Sequence, residues 1–211
     1  MGNMTLTESK LEAFNAYISK QFEPERIRLK AQSVVCGTGS LNAKLMLIGD
    51  TPRHADDSEG IPFAGRSGDI LDKILERSGF NRENLYLTNL MKVRPTNKSG
   101  VNRAVELGEI ELHKPFLMKE IRLVNPKVIV TLGEVATREL LSFPPHNVII
   151  KSKFKFSQKL GMPIRLQYIP GITVVPMYHP SYLLQVGKAK FNEAVETFRF
   201  IKEILLKGDA N

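Results

Sequence analysis

Leu45-Met46-Leu47-Ile48-Gly49-Asp50-Thr51-Pro52 is the stretch on which the fold turns. An unbroken apolar run, closed by a glycine and a polar turn, predicts a short strand buried on both faces. Leu85-Tyr86-Leu87-Thr88 repeats the plan and ends at Asn89. Val128-Ile129-Val130-Thr131-Leu132 ends at Gly133, and Ile172-Thr173-Val174-Val175 leads to His179. Helical patterns lie around these runs. Thr5 to Tyr17 opens with the capping-box spacing Thr5-x-x-Glu8. Ile70, Leu71, Ile74 and Leu75 share one helical face that Gly79 closes. Glu109 to Val124 is broken by Pro126, Val135 to Leu141 follows the third strand, and Phe191 to Leu206 is amphipathic. Strand and helix alternate, so the expected fold is a three-layer α/β/α domain with a central, mostly parallel four-stranded sheet, spanning 1–211 as one unit.

That topology has a chemical consequence. Loops at the carboxyl ends of parallel strands are where open α/β sheets build their sites. Asp50 and its neighbours, Asn89, Gly133 and His179 each follow a strand directly, so they are expected to converge on one sheet edge although far apart in sequence.

The chain has 211 residues, of which 42% are hydrophobic, enough for a sizeable core. No apolar run reaches the roughly 18 residues that a membrane span needs. Met1 to Lys10 lacks the apolar centre of a signal peptide. A single cysteine, Cys36, excludes an internal disulfide and fits a reducing cytoplasm. Lys and Arg number 30 against 22 Asp and Glu, for a net charge of +8. Such a balance favours polyanions, nucleic acid among them, and also serves plain solubility. Between Ser142 and Gly171, Lys151, Lys153, Lys155 and Lys159 interleave with Phe154 and Phe156, which reads either as a nucleic-acid-facing hairpin or as a solvated ribbon.

Four blocks then occur in order. Gly49-Asp50-Thr51-Pro52-Arg53 is followed by Asp56 and by Gly60-Ile61-Pro62-Phe63-Ala64-Gly65-Arg66-Ser67-Gly68. Next come Leu85 to Pro95, Pro126 to Gly133, and His179-Pro180-Ser181-Tyr182-Leu183-Leu184. In this order and context they resemble the family 4 uracil-DNA glycosylases, and the likeness runs from about Val34 to Leu184. The resemblance implies a monofunctional DNA glycosylase that hydrolyses the N-glycosidic bond of uracil or a related deaminated base. Such a reaction needs the base out of the stack and in a pocket. By resemblance, Phe63 is the stacking platform, and Asn89 reads the base edge, since a carboxamide offers a donor and an acceptor. His179 donates to the departing base, and Asp56 and Asp50 fall on the family's two glutamates. Thr51 and Arg53 stand where the family has Ala and Gly, which bears on base preference. Asp57 and Glu59 rival Asp56, and the run Asp56-Asp57-Ser58-Glu59 also reads as a solvated loop.

Ser181, Tyr182, Leu183 and Leu184 are expected to enter the minor groove, where apolar wedges help to unstack a base. Lys92, Arg94 and Lys98 are expected to contact phosphates. The implied partner is DNA, with the protein a monomer that needs no metal or organic cofactor. The family carries a four-cysteine iron–sulfur cluster, and thiolates are what such clusters need. Here the equivalent positions fall near Phe22, Glu25, Val93 and His113. Two other readings stay open: a catalytically weak nucleic-acid-binding module that keeps the fold, and an unrelated doubly wound enzyme.

Overall fold

A computed structural model describes residues 6–142, 154–166 and 168–207. Its elements are α1 (Leu6–Arg28), β1 (Thr38–Gly39), β2 (Leu45–Gly49), α2 (His54–Glu59), α3 (Arg66–Arg77), β3 (Tyr86–Asn89), α4 (Leu107–Val124), β4 (Val128–Leu132), α5 (Glu134–Leu141), β5 (Ile164–Arg165), β6 (Thr173–Met177), α6 (Pro180–Val186) and α7 (Lys188–Lys207). One six-stranded sheet runs in the order β1-β3-β2-β4-β6-β5. The central β3, β2, β4 and β6 are parallel, which is the expected four-stranded unit. The edges β1 and β5 add antiparallel pairs that were not expected, because two residues carry no readable period.

Alternating side chains divide the core into two layers. Leu45, Leu47, Val128, Val130 and Leu132 face Leu71, Ile74, Leu75, Phe198 and Ile201 of α3 and α7. Met46, Ile48 and Ile129 face Ile110, Leu117, Ile121 and Leu140 of α4 and α5. Each fully buried side chain of this size contributes about 1.5–3 kcal/mol.

Helix α1 runs well past Tyr17 and holds Pro24 within it. The expected helix ended at Tyr17, and Pro24 is an unfavourable helix-interior residue. Here the last turns gain from burial of Ile18 and Phe22 in a third apolar cluster with Cys36 and Val93. The positions that the resemblance equates with cluster ligands do come together in that region. The Phe22 ring stacks on His113 at 4.0 Å and 4°. His113 Nε2 lies 2.6 Å from Glu25 Oε2, and Val93 is fully buried in the Phe22 cluster. These side chains do not fit an iron–sulfur group, for they bring no thiolate and fill the space against one another. The phenyl–imidazole stack and the carboxylate bond fasten α1 to α4 instead.

The chain reverses its winding at β2. It leaves through α3 to β3 on one side, then returns through α4 to β4 on the other. That switch point opens a crevice at the carboxyl ends of β2 and β4, the place where such sheets bind ligands.

Candidate active site

Strand β2 ends in Gly49, and the glycine is there for space. A Cβ on it would overlap Asn89 Oδ1 and stand 2.7 Å from the Phe63 ring edge. The phenyl group and the amide therefore meet across bare backbone. Asn89 is 1% exposed, and neither Oδ1 nor Nδ2 has a hydrogen-bond partner among the described residues. A buried polar group without a partner costs about 1–3 kcal/mol, so folding alone does not explain this amide.

Phe63 sits at φ 57, a left-handed conformation that a bulky residue adopts at a cost of order 1 kcal/mol. Arg82, which sequence reading passed over, holds that turn by donating to the carbonyls of Pro62 at 2.9 Å and Phe63 at 3.2 Å. The Phe63 ring lies 6.1 Å from the His179 ring, centre to centre, at 28°.

His179 is the N-cap of α6, with Pro180 in the first turn. Its Nδ1 accepts the Ser181 backbone N–H at 3.2 Å, and Ser181 Oγ is 2.7 Å from the same nitrogen. A nitrogen that accepts carries no proton, so the ring hydrogen of the neutral form is on Nε2. Burial, helped by the Arg53 charge, lowers the imidazole pKa to about 4. The ring is thus a neutral donor at ordinary pH. Ser181 is engaged with His179 and not with a groove, a role that the spacing His-Pro-Ser at a helix start was able to signal.

The acidic run is not a solvated loop. It forms α2, and Asp56 and Asp57 are both buried. Asp56 accepts Arg53 N at 2.9 Å and Ala64 N at 2.8 Å, one on each oxygen. It closes the loop that carries Phe63. Asp57 accepts the N–H groups of Gln32 and Ser33 and faces Arg94 at 3.6 Å. Asp50 crosses the switch point: its Oδ1 accepts Ala136 N at 2.7 Å from the first turn of α5. Gly133 permits this, since a Cβ there would lie 2.7 Å from the Asp50 carboxyl carbon. Burial raises the Asp50 pKa to about 6 against the pull of the Ala136 N–H, of Arg53 and of the Val135 N–H. The exposed Arg53 guanidinium thus acts on Asp50, Asp56 and His179 together, with half-buried Thr51 beside it in the chain.

Residues 36–200 match the family described as the Uracil DNA glycosylase superfamily. The chain belongs to that superfamily. It is 36% identical to the Type-4 uracil-DNA glycosylase of Thermotoga maritima over 182 residues, 86% of this chain and 84% of that one. The enzyme of the same name from Saccharolobus solfataricus is 35% identical over 175 residues, covering 82% and 77%. That from Sulfurisphaera tokodaii is 32% identical over 183 residues, covering 82% and 76%.

Several expected DNA contacts need correction within this superfamily frame. Lys92 is wholly buried and ion-paired with Glu120. Arg94 is 8% exposed and engaged with Asn102, the Gly100 carbonyl and Asp57. Neither is free to meet a phosphate. Leu183 is buried among the core residues below Phe63, because the expected wedge is a helix and this residue faces inward. The outward members are Tyr182 and Leu184, and Lys98 is exposed as expected. Of the Lys and Phe segment, Lys151 and Lys153 lie outside the described residues. Lys155 and Lys159 are exposed, and Phe156 packs edge-on to Tyr178 at 5.9 Å.

Proposed function

We propose that this chain is a uracil-DNA glycosylase of base-excision repair, acting on DNA with Asn89 as the reader of the base. The observation that carries this reading is the Asn89 carboxamide, buried beside Phe63 with its donor and its acceptor both unpaired. Uracil offers an adjacent N–H and carbonyl, the complement of that pair; cytosine presents donor and acceptor in the reverse order, which a carboxamide held in one orientation rejects.

The residues around Asn89 supply the rest. Phe63 gives the flipped base an aromatic face. As the C1′–N bond breaks, negative charge gathers on the departing base, and the Nε2–H of neutral His179 is the donor that meets it. A donor of that kind is worth about 2.7–4 kcal/mol of barrier. The cationic sugar is captured by water, whose proton passes to a carboxylate. We assign that carboxylate to Asp50 before Asp56, because Asp50 stands at the switch point of the sheet with its pKa raised to about 6, near the range where a base works, while Asp56 ties down the loop with a backbone N–H on each oxygen. Asp56 then positions the loop bearing Phe63 and Arg53. Tyr182, Leu184 and Lys98 are the exposed groups placed to meet the duplex, and Thr51 and Arg53 are those that set which deaminated base is accepted. The free, buried thiol of Cys36 fits work as a monomer in a reducing cytoplasm, with residues 1–211 acting as one domain.

A duplex holding one U·G pair, incubated with the protein and then treated with alkali, is expected to break at the uracil position. Bound but intact DNA would overturn the enzyme reading and leave a binding module. The same duplex with hypoxanthine, xanthine or T·G ranks the bases.

A further inference from the structure

Next to Asn89 lies a buried ion pair that the chemistry above does not use. Lys92 and Glu120 are each 0% exposed. Lys92 Nζ donates to Thr88 Oγ1 at 2.6 Å, to the Asn89 carbonyl at 2.8 Å and to Glu120 Oε2, so every ammonium hydrogen is taken. Glu120 also accepts the hydroxyls of Tyr86 and Thr88, each at 3.1 Å. The Lys92 main chain is held as firmly: its N–H donates to His113 Nδ1 at 2.9 Å and its carbonyl accepts Val35 N at 2.7 Å. Between Asn89 and Lys92, Leu90 N and Met91 N bond the carbonyls of Gly49 and Asp50 at 2.8 and 3.1 Å.

A buried ion pair is a weak source of stability, since apolar side chains of similar volume often serve as well. This one has a geometric effect that apolar side chains lack. It places a cation on the carbonyl of Asn89, whose buried side chain has both donor and acceptor unpaired among the described residues. We propose that Lys92, held by Glu120, is a positioning residue that clamps the Asn89 main chain, so that the carboxamide meets the uracil edge without rearrangement. The proposal rests on Asn89 being the reader. Sites of this kind work when the groups behind the contacting residue lock its orientation.

Lys92→Met alone leaves Glu120 charged and unpaired, and loss of folding is its expected result. The deciding variant is Lys92→Met/Glu120→Gln, which removes both charges and keeps an acceptor for Tyr86 and Thr88. Its single-turnover excision of uracil is expected to fall about 10–100-fold, the order that a misplacement of about 1 Å costs, with duplex affinity unchanged. The same two substitutions made on an Asn89→Ala background are expected to change the residual rate little, because the clamp acts through the missing amide. A double variant at the parental rate, or an equal loss on both backgrounds, overturns the proposal. An arm free of activity reads the Asn89 side-chain amide by ¹⁵N NMR in the unbound protein. One sharp pair of resonances in the parent is expected to broaden or double in the double variant, and an unchanged pair overturns the clamp. Failure of the glycosylase reading shows separately, as a parent protein that leaves U·G duplex intact.

Discussion

His113 and His179 are built alike and finish differently. Each ring is mostly buried, each accepts a backbone N–H at Nδ1, and each has its pKa lowered chiefly by burial. Each neutral ring is left with Nε2–H. In His113 that hydrogen goes to Glu25 at 2.6 Å, and the face of the ring goes to Phe22. In His179 no hydrogen bond to Nε2 is formed among the described residues, and the face of the ring lies toward Phe63. The carboxylates divide the same way. Asp57 has its oxygens filled by Gln32, Ser33 and an Arg94 charge, while Asp50, with backbone N–H groups only from the start of α5, has a raised pKa of about 6. At His113 and Asp57 the fold completes the bonds; at His179 and Asn89, on the crevice, it leaves bonds open among the described residues.

The largest effect expected from breaking this division is at His179. His179→Ala should cut single-turnover excision about 10²–10³-fold and change duplex affinity little, because the bond strengthens only as charge develops. Asp57→Ala should do the reverse. It leaves two N–H groups unpaired and takes the carboxylate from Arg94, which keeps Asn102 and the Gly100 carbonyl, so chemical denaturation should show a loss of about 1–3 kcal/mol. An Asp57→Ala protein as stable as its parent but slow in excision would move Asp57 into the reacting group.

Asp50 sharpens the comparison through pH. Its carboxyl titrates near 6 when folded and near 3.8 when unfolded, so the folded chain holds this proton more tightly. The stability that it gives is full below about pH 4 and is lost as pH rises through about 6. Asp50→Asn should therefore match the parent at pH 4 and exceed it by about 2–3 kcal/mol at pH 8. Excision by the parent should fall below pH 6 with the Asp50 titration, and the variant should be slow throughout. A parent pH profile that is flat from 5 to 8 would take the ionised carboxylate out of the mechanism. The smallest effect is at the other histidine: Glu25→Gln should lower stability by about 1–2 kcal/mol, as loss of a charged bond does, with excision unchanged.

How much of this was legible in the sequence follows the same line. The four parallel strands were readable because continuous apolar runs are what two-sided burial demands, and their carboxyl ends placed Asn89 and His179 near Phe63. Partnerships were not readable. Lys92 and Arg94 looked like surface cations because charge states nothing about burial, and only the fold brings Glu120 and Asp57 to them. Asp57 looked solvated because six-residue α2 is too short to show a period. Ser181 looked like part of a wedge, although a hydroxyl two residues after a helix-capping His is well placed to set its tautomer. Composition showed a single cysteine, and only the family resemblance pointed to Phe22, Glu25, Val93 and His113; the Phe22–His113 stack itself required side chains in three dimensions.

The central claim is that Asn89, the one buried amide among the described residues with neither end paired, is the reader of the base. Asn89→Asp tests it most directly, with single-turnover excision measured on paired duplexes that carry uracil or cytosine at the same site, and with thermal unfolding on the same samples. The account predicts loss of uracil excision by about 10²-fold or more, of the order that a buried recognition group left facing the wrong partner costs, with any remaining activity shifted toward cytosine and the fold retained. Uracil excision at the parental rate from a folded Asn89→Asp protein would contradict it.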